Sequence, residues 1–396
     1  MKVPFAISTS QARNKKGNNE ALINMYADSM PPNAKSQVVL LGSPGYIAID
    51  NIGYKIIGLH YFQGSTFIVT PKKLYRLTNS EDIIEVGNVL FTTEKVSIAD
   101  NGIQMVIVGG NGFYFDGNVV TQITDTAYYK SDAVTFQDGY FIFKRNNSQQ
   151  FFISKLYSVE FDATMYASAE GSPDQIVGIV SLHQQLFILG EKSIEVWYNS
   201  GDALFPFDRI QGSFSKRGCV DKDTIAVTNM SIFWVGDDNV VYTNNGYTPT
   251  SISNNYVEYQ LGINKDKKLF AFTYTEEGHY FYALTIADTT TMVFDVKTGL
   301  WHTRSSNGGQ WNIKDIIHVD GKLIGATYDN NVVSVGLDYY TEDGQTIERH
   351  AETSPFSNGV NYFTLNKFEL DMETGKTPAN GGLEYYLISI GGVYGD

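Results

Sequence analysis

Residues 184–201 read QQLFILGEKSIEVWYNSG. A run of apolar residues ends in Gly190-Glu191-Lys192, and a second run with aromatic and β-branched residues follows. Both runs are strand-sized, and Gly with polar neighbours supplies a tight turn, so the stretch is a β-hairpin. Working outward, the same pattern recurs as STFIVTPKKLYRLT (65–78), IQMVIVGGNGFYFDG (103–117), DGYFIFKRNNSQQFFISKL (138–156) and MSIFWVGDDNVVYTNNG (230–246). Looser copies are GHYFYALTIADTTTMVFDVKTGLW (278–301) and GKLIGATYDNNVVSVG (321–336).

The first strands of these hairpins start near Phe67, Met105, Phe141, Leu186, Ile232, Tyr280 and Leu323, at intervals of 38, 36, 45, 46, 48 and 43. That spacing matches the roughly 40–50 residues of a four-stranded propeller blade. An apolar strand precedes each hairpin, as in YKIIGLHYF (54–62), QIVGIVSL (175–182) and IKDIIHV (313–319). An outer strand follows, as in DIIEVGN (82–88) and VVTQIT (119–124). The fold class expected is all-β: a β-propeller of six or seven blades, with an extra N-terminal arm and C-terminal strands. A sandwich built from a run of hairpins is the structural alternative. The domain expectation is an N-terminal arm and connecting segment over 1–50, a propeller over 51–355 and a C-terminal β segment over 356–396. NEALINMYAD (19–28) fits either a short helix or an extended arm. YFTLNKFELDMET (362–374) and GGLEYYLISIGG (381–392) read as further strands, and the chain stops just after the second, as if cut short from a longer domain.

Composition narrows the function classes. Hydrophobic residues make up 42% and charged residues 18%, the balance of a folded chain. The net charge is −14 and the one dense basic run, Lys265-Asp266-Lys267-Lys268, is broken by an Asp, so a sequence-specific grip on nucleic acid is not expected. No apolar run reaches the roughly 18 residues of a membrane helix, so membrane insertion is not expected. MKVPFAISTSQARNKKG (1–17) has no apolar signal core, and the expected site of synthesis and assembly is a cytoplasm.

No residue pattern defines a catalytic, cofactor or metal site, and none is assigned. His60, His183, His279, His302, His318 and His350 form no pair at metal spacing, and read as structural. Cys219 is the one cysteine and reads as a small buried hydrophobe. Glycoside chemistry needs two carboxylates facing across a sugar. Glu170 and Asp174, in EGSPDQIVGI (170–179), lie in a Gly-Pro loop that defines no facing pair. That loop reads instead as a blade-to-blade connection, with Asp174 capping its turn.

Two regions carry a family likeness. One is ALINMYADSMPPNAKSQVVLLGSPGY (21–46). The other is AEGSPDQIVGIVSLHQQLFILGEKSIEVWYNSG (169–201) with its continuation FSKRGCVDKDTIAVTNMSIFWVGDD (214–238). Together they resemble the packaged-DNA stabilisation proteins of short-tailed phages, also called tail hub or nozzle proteins, over about residues 20–390. The resemblance implies a structural, non-enzymatic component of the virion tail. It implies a ring of copies, six in number, below the portal and its adaptor ring. It also implies that the ring extends the DNA channel, helps retain packaged DNA and carries needle or fibre proteins. The family has no catalytic residues to carry over and implies no cofactor. Family members run on past ISIGGVYGD (388–396), which leaves the closing of the terminal domain open. The alternatives are a propeller hydrolase or lyase acting on glycans, suggested by fold class alone, and a glycan-binding module, suggested by the aromatic content.

Overall fold

A computed structural model describes residues 5–11 and 18–354 of the chain. Seven four-stranded antiparallel units follow one another among these residues. Blade 1 is Gly58–Phe62, Ser65–Val69, Lys73–Leu77 and Ile83–Asn88, and blade 2 is Ser97–Asp100, Met105–Gly109, Asn111–Phe115 and Val120–Gln122. Blade 3 is Val134–Gln137, Tyr140–Lys144, Gln150–Ser154 and Phe161–Ser168, and blade 4 is Ile176–Leu182, Gln185–Gly190, Ile194–Asn199 and Phe207–Arg209. Blade 5 is Ala226–Val227, Ile232–Val235, Val241–Asn245 and Thr248–Ser251, and blade 6 is Leu269–Glu276, His279–Ile286, Thr290–Asp295 and Leu300–Arg304. Blade 7 takes Ile313–Val319, Lys322–Thr327 and Asn331–Gly336 from late in the chain. Its outer strand is Gly45–Asn51, from before blade 1, paired antiparallel to Asn331–Gly336. The last blade thus closes the ring with a strand from near the other end.

Each seam between blades holds its own apolar cluster. Phe67 and Val69 of blade 1 pack with Ile107 and Phe115 of blade 2, and the pattern continues to Ile68 of blade 1 against Ala326 and Val332 of blade 7. Seven clusters for seven seams fix the blade count within the six-or-seven expectation. The second strand of each blade is covered on both faces by neighbouring blades. It therefore reads as a continuous apolar run, such as Leu186-Phe187-Ile188-Leu189, rather than as an alternation.

Segment 19–28 is extended, not helical. Asn19–Ile23 joins the outer edge of blade 6, where it meets Leu300–Arg304 and pairs with His350–Glu352. Met25–Ser29 forms a hairpin with Val38–Gly42. The one α-helix among the described residues, Asn255–Ile263, links blades 5 and 6 and was not expected. The Asn254 side chain accepts from the Val257 N–H as its N-cap, and Val257 and Leu261 are buried. The chain divides into two compact units, 1–355 and 356–396. The strands expected over 362–374 and 381–392 lie outside the described residues.

A buried polar node ties the segments at Pro44 and Glu342 to Arg304 of blade 6 and to Trp311. Arg304 is fully buried, lies 4.0 Å over the Trp311 ring, and donates to the Pro44 carbonyl at 3.0 Å. Glu342 Oε1 lies 3.5 Å from Arg304 Nη2 and accepts from Trp311 Nε1–H at 3.0 Å, while Oε2 accepts from the Ser306 hydroxyl. Beside them, burial pushes the Glu276 carboxyl up to about 7 against the opposing pull of Arg304. Burial, with Arg304 and His279 adding, pulls His302 down to about 3.

Candidate functional site

In an up-and-down propeller every inner strand enters from the same face, so residues just before the inner strands converge around the axis. In five of the seven blades a lysine stands there, just before the inner strand or, at Lys314, in its second position: Lys55, Lys95, Lys222, Lys268 and Lys314, from blades 1, 2, 5, 6 and 7. Their ammonium groups span the mouth of the axial channel. Lys95 donates to the Ala271 carbonyl of blade 6 at 2.7 Å, and Lys222 to the Lys95 carbonyl of blade 2 at 3.4 Å. Lys314 donates to the Ile56 and Glu94 carbonyls at 2.8 and 3.1 Å, reaching past blade 1 to blade 2.

Carboxylates complete the lattice. Lys268 meets Asp221 at 2.6 Å and Asp223 at 3.1 Å, Lys222 meets Asp223 at 2.6 Å, and Lys55 pairs with Glu94. Burial by itself would raise Asp223, but Lys222, Lys95 and Lys268 hold it below the ordinary carboxylate value. Burial, with Lys55 adding, pulls Lys314 down to about 8. The inner turns at the opposite mouth carry no lysine or arginine and include Asp138, Glu277 and Asp320. The lysine mouth is thus a mixed lattice of both signs, whereas the charged groups of the opposite turns are carboxylates alone.

The residues weighed from sequence do not assemble into a reactive centre. Asp174 was expected to cap its own turn. Instead it accepts from the Lys192 N–H at 2.7 Å and the Ser193 hydroxyl at 2.9 Å, holding the blade 4 hairpin 18 residues on. The physical reason is that residues 169–175 pass beside that hairpin, whose N–H groups are otherwise open. Glu170 is exposed. Cys219 is buried, and desolvation pushes its thiol up to about 12, far from a reactive thiolate. His279 lies between Asp295 at 2.8 Å and Asp28 at 3.3 Å, while His60 meets Asp100 at 2.7 Å. His183 contacts the Asn229 carbonyl at 2.8 Å, His318 is exposed, and His350 lies 3.8 Å from Glu352. Among the described residues, no three His, Cys, Asp or Glu side chains converge as metal ligands. Nor is any helix among them long and apolar enough to cross a membrane.

In the sequence the axial lysines are scattered and form no charge run. A signal was present, since Lys222, Lys268 and Lys314 recur every 46 residues at the entrance to an inner strand. The one dense basic run in the sequence is the broken one at 265–268.

A family model described as bacteriophage P22 Gp10, beta-propeller, matches residues 1–338. The chain belongs to this phage stabilisation family. The Gp10-family match ends two residues past Asn331–Gly336, so it takes in the N-terminal segment, all seven blades and the closing strand. Membership makes the chain a phage propeller protein in a structural, DNA-stabilising family.

No curated protein matches the chain. The WD40 domain of Pan2 from Neurospora crassa is similar at 8% identity, with 74% of this chain and 94% of that one covered and a TM-score of 0.50. BamB from Moraxella catarrhalis is similar at 11% identity, covering 80% and 97%, with a TM-score of 0.47. The computationally designed Ika8 protein is similar at 13%, covering 85% and 100%, with a TM-score of 0.46. At such identities the Pan2 likeness speaks to the fold alone, and WD40 repeats are propeller blades.

Proposed function

We propose that this chain is a structural tail hub, assembling as a ring of six copies below the portal and adaptor, extending the DNA channel and anchoring needle or fibre proteins. The observation that carries the reading, beside family membership, is the crossed axial mouth. Single lysine side chains bridge blade 2 to blade 6 and blade 5 to blade 2. A duplex cannot thread a passage that one side chain spans. In a hub built from such propellers the conduit runs between copies, and several copies must surround it.

The charge supports the same reading. A surface with net charge −14 releases few counterions from passing phosphates, so DNA slides without adhering. The role is architectural rather than catalytic, since the carboxylate on which a glycosidase reading would lean, Asp174, is spent on a hairpin.

Electron microscopy of the purified chain mixed with its portal–adaptor complex tests the proposal. A ring of copies capping the complex, with the lumen between propellers, is the expected image. Absence of a ring on that complex, or a lumen through each propeller, overturns it.

A further inference from the structure

The seam between blades 4 and 5 is bridged at its inner turns by His183, 2.8 Å from the Asn229 carbonyl, but it widens outward of that bridge. Side chains stitch other seams on the carboxylate face as well. Ser181 donates to Gln137 at 2.9 Å and Gln137 to the Gln184 carbonyl at 2.9 Å between blades 3 and 4. Gln63 reaches the Gly102 carbonyl at 3.0 Å between blades 1 and 2. Blade 5 begins with the shortest inner strand, the two-residue Ala226–Val227, against four to eight residues elsewhere. The seam therefore opens outward into a cleft of about 300 Å³, at the lower end of small-molecule sites.

Its chemistry is uniform. Leu182 and Phe187 form an apolar floor and Met230, 74% exposed, forms one wall. The polar lining is His183, Gln185, Ser231, Asn244 and Asn245, with no Asp, Glu, Lys or Arg. Two of these groups are fixed in place: Asn244 accepts from the Ile232 N–H at 2.7 Å, and Gln185 donates to the Tyr247 hydroxyl at 2.9 Å. Gln185 Oε1, Ser231 Oγ and the Asn245 amide hold no partner among the described residues.

The rim carries one more strained residue than its counterparts, whose first turn residues Gln63, Asp138, Glu277 and Asp320 are also at positive φ. The inner turns of blades 1, 3, 6 and 7 place glycine second, at Gly64, Gly139, Gly278 and Gly321. Blade 4 places Gln184 there, at φ 60°, after His183 at φ 51°. Two consecutive non-glycine residues in the left-handed region are costly, and such strain gathers at binding sites.

We propose that this cleft is a binding site for a neutral saccharide. One hexose unit presents an apolar C–H face, matching Phe187 and Met230, and hydroxyls that both donate and accept, matching amides and a serine. A charged ligand finds no counter-ion here, and the carboxylates at Asp138, Glu277 and Asp320 on the same face repel an anion. The inference is independent of the ring reading, since it needs only the folded propeller.

Methyl-labelled methionine NMR of the full chain tests it, with the exposed Met230 methyl as reporter and maltotriose, chitotriose and mannotriose as probes. A saturable shift of the Met230 signal with at least one of them is expected, at a Kd of about 1 mM. Gln185→Ala should weaken it about tenfold, the loss of one oriented hydrogen-bonding group. Ser231→Trp, which fills the cleft from an exposed turn, should abolish it with the melting temperature retained. No saturable shift with any of the three overturns the proposal. So does an unaltered shift in both variants, or a shift only with an acidic oligosaccharide or an extended peptide.

Discussion

Glu342→Ala is the most informative single perturbation of this fold. The carboxylate is 5% exposed and its partner Arg304 is fully buried. Removing it deprives Trp311 Nε1–H and the Ser306 hydroxyl of their acceptor, and leaves the buried guanidinium with the Pro44 carbonyl, the Trp311 face and the partly protonated Glu276 carboxyl nearby. The Arg304–Glu342 separation of 3.5 Å is long for a hydrogen bond, so charge compensation is what the pair chiefly supplies. Breaking one side of a buried pair costs about 3–5 kcal/mol. An unfolding entropy of roughly 2.1 cal/mol/K per residue over the 355 residues of the first unit gives roughly 0.75 kcal/mol/K, so the melting temperature should fall by about 4–7 °C. Calorimetry of wild type, Glu342→Ala and the double variant Arg304→Met/Glu342→Leu reads this directly. The double variant should recover much of the loss, because it leaves no buried charge. A loss below about 1 kcal/mol in the single variant, or a double variant no better than the single, would refute the reasoning.

Further expectations concern separate parts of the molecule. Glu276, raised from 4.5 to about 7 by burial, keeps a proton in the folded state that the unfolded state releases between those values. Its contribution to stability therefore falls as pH rises through that window. Glu276→Gln should stabilise the protein at pH 8, by up to about 3 kcal/mol, and leave it little changed near pH 4; equal effects at both pH values in thermal melts would contradict this. A Cβ at Gly218 would drive into the Glu191 carbonyl of the blade 4 hairpin, so Gly218→Ala should cost about 1–3 kcal/mol in urea unfolding. An unchanged midpoint would show that the loop gives way. Glu170, exposed on the connection between blades 3 and 4, should tolerate Ala with no change in melting temperature while ring formation on the portal–adaptor complex weakens. Unaltered assembly would remove it from the interface.

The sequence by itself determined the repeat. Apolar runs such as 186–189 and 232–235 are covered on both faces, and the Gly, Asn and Asp of their turns accept positive φ, so period and strand order are local and legible. It also carried the family likeness at 21–46 and 169–238, inside the matched region. Tertiary structure decided the rest. The blade count required the closing strand 45–51 to find its partner at 331–336, a pairing that no local pattern announces. Whether 19–28 was helix or strand turned on an edge of blade 6 far along the chain. The axial lattice and the cleft at blades 4 and 5 depend on residues brought together only when the ring shuts. A lysine before one inner strand is unremarkable by itself, and its meaning comes from the carbonyl it reaches across the axis.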